Sequence, residues 1–248
     1  MINTGIIKNE RDLVVPGDVL AEGLDYLPSF GAFREGDKIF SKVVGTVLIR
    51  ERSIGVVALS GRYTPKAGDK IIGEVVDVQM STWFMDINSP YQASLSIGEA
   101  SEEYIERGAD LSRYFDVGDV LYAKIISVSK HKNIQTTMKD MMCKKLRGGK
   151  IVEITPSKVP RLIGKAGSMI SMIKEKTGCN IVIGQNGRVW IKGEHEDLAT
   201  QAIMMVEEKS HIDGLTNKIM EFLEVNSPIK GLPIQTDNVI EGSENNEG

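Results

Sequence analysis

Between residues 150 and 209 the apolar pattern changes period in one order: alternating, helical, helical, alternating, alternating, helical. Lys150 to Ile154 alternates as a strand, and Val159-Pro160-Arg161-Leu162-Ile163 forms an apolar turn or short helix. Ser168 to Lys176 has helical spacing, with Ser168 as its expected N-cap and Gly178 as its stop. Two β-branched runs follow, Asn180-Ile181-Val182-Ile183 and Arg188-Val189-Trp190-Ile191-Lys192, and they predict a hairpin. A last helix is predicted from about Glu196 to Lys209, with Leu198, Ala202, Met205 and Val206 on one stripe and acids in its first turn. Few folds accept a βααββα order in so short a span.

Between the first two helical segments lies Gly164-Lys165-Ala166-Gly167. Neither glycine carries a Cβ, so a polyanionic strand can approach the backbone closely there. The helix start beyond it offers unpaired N–H groups and partial positive charge to phosphate, and Lys165 adds a full charge. The bland reading, a generic α+β domain whose glycines merely end helices, is weaker because the whole element order fits. Gly184-Gln185-Asn186-Gly187 has the same spacing, but it joins the two hairpin strands and is expected to be only a turn.

This combination resembles the type I KH domain, whose G-x-x-G clamps single-stranded RNA. The resemblance implies that Gly164, Lys165, Ala166 and Gly167 grip the strand, with Arg161 and Ile163 beside them.

The formal net charge of −4 looks wrong for such a partner, but the charge is unevenly spread. From Lys139 to Lys165 eight bases face two acids, a net of +6, and Lys144, Lys145 and Arg147 are candidate phosphate contacts. A solvated linker is the competing reading of that run. From Asp213 onward seven acids face two bases, a net of −5.

The first 141 residues are β-rich. Residues 1–66 hold short valine- and isoleucine-rich runs between glycines and predict a small barrel or sandwich. In residues 67–141, strands are expected at Ile71 to Val78, Trp83 to Ile87, Val120 to Val128 and Ile134 to Met138. Gly98 to Tyr114 reads as a long loop or short helix. Five short strands would close an OB-fold barrel. Gly73, Val75 and Val78, then Trp83-Phe84-Met85, then Val117-Gly118-Asp119-Val120 with Ala123-Lys124-Ile125 resemble an S1 domain, an RNA-binding barrel. The resemblance implies base stacking on Phe84, since neighbours on a strand face opposite ways and Trp83 would then be core. Ser81 stands where the family carries a further aromatic. Lys124 and Lys132 would supply backbone charge.

The expected organisation is multidomain: residues 1–66 a β domain, 67–141 the S1 barrel, 148–209 the KH domain, and 210–248 a short helix with an acidic disordered tail. That order, with the junction Leu59-Ser60-Gly61-Arg62-Tyr63-Thr64-Pro65-Lys66, resembles the archaeal exosome's RNA-binding cap subunits of S1/KH type. The resemblance implies an accessory subunit that binds single-stranded RNA and feeds its 3′ end to a hexameric ring of phosphorolytic subunits. It implies docking mainly through the N-terminal domain, with three copies per complex, alone or mixed with the zinc-ribbon cap subunit.

No cofactor, metal site or catalytic residue is expected. Cys143 and Cys179 are too few for a zinc site or a disulfide framework, and His131, His195 and His211 lack ligand spacing. A nuclease would need clustered carboxylates, whereas Asp86, Asp116 and Asp119 sit in scattered strand and turn positions. No transmembrane run or signal peptide is evident, which fits a cytoplasmic protein without membrane contact. A free-standing S1/KH factor in translation or transcription remains the alternative.

Overall fold

Glycine, proline and aspartate interrupt the valine-rich runs of the first unit every few residues, so its strands are short. The computed structural model describes residues 5–106, 108–210 and 214–226. The first unit contains β1 (Leu13–Val14), β2 (Val19–Glu22), β3 (Leu27–Pro28), β4 (Ala32–Glu35), β5 (Lys38–Ser41), β6 (Gly45–Arg50) and β7 (Ser53–Ala58). They make a four-stranded sheet, β1-β6-β7-β3, and a three-stranded one, β2-β5-β4. Leu20, Ile39, Val47, Ile54 and Val56 fill the space between them, which makes the unit a small sandwich.

The second unit is the expected barrel. Its strands are β8 (Lys70–Gln79), β9 (Thr82–Asp86), β10 (Ala93–Ser96), β11 (Val120–Val128) and β12 (Ile134–Thr137). β12 pairs in parallel with β10 and antiparallel with β11, and that double pairing closes five strands into an OB-like barrel. Ile71, Val75, Trp83, Met85, Leu95, Leu121 and Ile125 pack its interior. The described residues between Gly98 and Tyr114 are mostly irregular, with α1 (Ile97–Ala100) running into the segment and one 3-10 turn at Leu111–Arg113. Buried Ile105 and Leu111 pin it to the barrel.

The basic run after residue 138 contains a strand. β13 (Lys144–Leu146) pairs antiparallel with β11 through Val120–Leu146, Leu121–Lys145 and Tyr122–Lys144, so the S1 sheet extends to Leu146.

The third unit has the expected KH order: β14 (Lys150–Glu153), α2 (Val159–Ile163), α3 (Ser168–Thr177), β15 (Asn180–Ile183), β16 (Arg188–Lys192) and α4 (Glu196–Glu208). Its antiparallel sheet runs β14-β16-β15. Leu162, Ile173, Ile181, Val189, Ile191, Ala199, Ala202 and Val206 form the core. Ser168 departs from expectation. It is the first residue inside α3, and Gly167 takes the cap position with φ +81°. Gly178 does end the helix, its N–H donating to the Lys174 carbonyl at 2.8 Å. A fifth helix, α5 (Leu215–Asn226), buries Leu215, Ile219 and Leu223 against the same core. The expected tail from Ser227, and His211, lie outside the described residues.

Candidate nucleic-acid interface

The Gly164–Gly167 turn follows directly from α2, and its shape explains its composition. Gly164 has φ +75° and ψ 177°, a region essentially reserved for glycine, and an added Cβ would sit 2.8 Å from the Met169 Cβ. Lys165 and Ala166 are both exposed, and Ala166 is left-handed at φ +52°. A Cβ built on Gly167 meets nothing within 4 Å. The result is an open backbone notch ahead of α3, with a lysine at its tip. Arg161 is exposed on α2, while Ile163 packs half-buried against the KH core.

The candidate cations fall into two classes. Lys144, Arg147 and Lys165 occupy exposed positions. Lys145 is bound to the Asp119 carboxylate. Burial would push that carboxyl up, but hydrogen bonds from Lys145 and the Asp116 N–H outweigh it and hold Asp119 below its ordinary value. Lys124 shares Asp140 with Lys70, at 3.1 and 2.7 Å. Lys124 and Lys145 therefore brace the barrel through carboxylates. Lys132, in the β11–β12 turn, lies 5.9 Å from the Tyr91 ring.

On β9, Trp83 is fully buried and donates its indole N–H to the Phe115 carbonyl at 2.8 Å. Phe84 points to the opposite face and is half-exposed, with Ser94 and Asp77 as its cross-strand neighbours.

The turn Gly184–Gly187 does more than reverse the chain. Asn186 is fully buried against the barrel: its carboxamide accepts from the Ile72 N–H at 3.2 Å and donates to the Ile72 and Ile87 carbonyls at 2.7 and 3.0 Å. The Gln185 N–H reaches the Lys70 carbonyl at 2.8 Å. Next to it Arg188 binds the Asp86 carboxylate and the Glu153 carboxylate. Trp190, Ile72, Tyr122 and Leu146 form an apolar patch across the same junction. This copy of the motif is consumed by domain docking, and only the Gly164–Gly167 copy faces outward.

Docking creates a feature that sequence spacing does not signal. A cleft of about 390 Å³ opens between α3 and the barrel, lined by Ile170 and Lys174 of α3, Asn180 to Ile183 of β15, and Tyr122, Met141, Met142 and Lys144 from the S1 side. Among the described residues no carboxylate lines it.

Three family models match successive parts of the chain: the exosome RNA-binding protein RRP4 N-terminal domain at residues 11–60, the RRP4 S1 domain at 62–127 and a KH domain at 149–197. The chain is 49% identical to the exosome complex component Rrp4 of Thermococcus kodakarensis over 88% of its own length and 87% of that protein's. It belongs to the Rrp4 family. The Rrp4 of Methanothermus fervidus is 45% identical, with 86% of this chain and 96% of that one aligned. A crystal structure of an exosome complex RNA-binding protein superposes with a TM-score of 0.61 at 36% identity, covering 66% of this Rrp4-family chain and 97% of the other. Among the described residues no helix is long and apolar enough to cross a membrane.

Proposed function

We propose that this chain is a non-catalytic RNA-binding cap subunit of an exosome, which holds single-stranded RNA and presents its 3′ end to a phosphorolytic ring. The observation that carries this reading is the open, lysine-tipped notch at Gly164–Gly167 in a complete KH fold, joined to an S1 barrel in a chain whose relatives are exosome components. Lys165, with Lys144 and Arg147, neutralises phosphates, so affinity falls as salt rises. Half-exposed Phe84 offers a stacking platform on the barrel.

The partner is a hexameric ring with three cap subunits, alone or mixed with the zinc-ribbon type, in the cytoplasm. Three individually weak sites then act on one strand through effective concentration. The sandwich supports the docking role because Leu13, Leu24 and Leu27 are exposed on it. Co-elution with purified ring subunits on size exclusion tests the assembly. A chain that binds RNA but never enters the ring peak would make it a free-standing factor.

A further inference from the structure

We propose that the S1 segment Met141-Met142 is the second wall of the KH groove, so that a base of the strand held at Gly164–Gly167 stacks between the two domains. This rests on the RNA-binding reading above and adds residues to it from outside the KH fold.

Met141 and Met142 are 101% and 60% exposed, a costly placement for two large apolar side chains. Their segment is anchored rather than loose. The Asp140 carboxylate is clamped by Lys70 and Lys124 and accepts the Met142 N–H at 3.3 Å, while the Asp140 carbonyl accepts the Cys143 N–H at 2.8 Å. Facing them across the cleft are Ile170 and Ile183, both half-buried on the KH core.

The cleft also lies in line with the notch. Ile170 comes three residues after Gly167, and Lys174 one helical turn beyond Ile170 on the same side of α3. A strand leaving the notch along that helix enters the cleft. Lys144 and Lys174 at its rim suit phosphates, and apolar walls with a polarisable thioether suit the face of a base. The volume of about 390 Å³ falls in the range, about 300 to 1,000 Å³, of sites for small organic groups. The Asn186 and Arg188 bonds hold the two domains together, so the cleft exists before RNA arrives.

The test uses the full chain carrying Met141→Ala with Met142→Ala, and two fluorescent single-stranded RNAs. One is about four nucleotides, the length a G-x-x-G clamp covers; the other is about ten. Anisotropy titrations are expected to show binding of the longer RNA weakened about fivefold or more, in keeping with the loss of one stacked base. The shorter RNA should be weakened less, because fewer of its bases reach beyond the notch into the cleft. Peroxide footprinting read by mass spectrometry should show the longer RNA protecting both methionines of the parent from sulfoxide formation. Unchanged affinity for the longer RNA, while Lys165→Asp with Ala166→Asp still weakens it, would overturn the composite wall and leave the KH reading standing. If neither variant changes binding, both readings fall. Protection by ring subunits and not by RNA would make Met141-Met142 a protein contact and also refute the proposal.

Discussion

The carboxamide of Asn186 pairs with the backbone of Ile72 at both ends, accepting its N–H at 3.2 Å and donating to its carbonyl at 2.7 Å across 114 positions of chain. Both residues are fully buried, so these bonds are shielded from water. Asn186→Ala strands the Ile72 N–H and two carbonyls at the domain junction, and the expected loss is roughly 1–3 kcal/mol. Urea unfolding measures it. Gly184→Ala should also destabilise, because its Cβ would lie 2.8 Å from the Ile72 nitrogen.

Lys165→Asp with Ala166→Asp is a cleaner probe of the notch than any change at Gly164. Both side chains are exposed, and aspartate tolerates the left-handed conformation at 166. RNA affinity should fall by about tenfold or more, roughly 1.4 kcal/mol, with the melting temperature nearly unchanged. The salt dependence of binding should become shallower, which titrations at two ionic strengths would detect.

Phe84 and Trp83 should separate binding from stability. Phe84→Ala removes a half-exposed ring and is expected to weaken RNA binding by about 1–3 kcal/mol with little change in unfolding. Trp83→Ala empties the barrel core and removes the bond to the Phe115 carbonyl, at a cost of about 3–5 kcal/mol in stability. Parallel binding and denaturation curves would reverse this assignment if Phe84→Ala unfolded the barrel.

Acid should loosen the Asp140 anchor. Lys70 first, then Lys124 and the Met142 N–H, hold the Asp140 carboxyl well below the usual carboxylate range. The folded value lies below the unfolded one, so the contribution to stability is complete above about pH 4 and fades as the pH drops further. Asp140→Asn should therefore be less stable than the parent at neutral pH, with the gap closing in acid. A gap that widened on acidification would contradict the assignment.

Periodicity made the KH order readable because each of its elements is local: β14, both helices around the notch, the hairpin and α4 appear where the sequence predicts them. The barrel was less legible. β10 reads Ala-Ser-Leu-Ser, a run with little strand preference, and only pairing to β9 and β12 makes it a strand. β13 reads Lys-Lys-Leu inside a basic run and is a strand because β11 offers it an edge. Ser168 has the chemistry of a cap, yet the left-handed Gly167 takes that position.

On its own the sequence determined an open notch between two short helices, its neighbouring lysines and the β-rich units before it. These rest on contacts within a few residues, which spacing encodes. The folded chain alone decided that Lys124 and Lys145 serve Asp140 and Asp119, that one G-x-x-G copy is buried against the barrel, and that Met141 faces Ile170 across a cleft. Coulombic and hydrogen-bonding partners are chosen by distance through space: β8 and β11, about 50 residues apart, meet only when the barrel closes, and Asn186 reaches Ile72 only when the domains have docked.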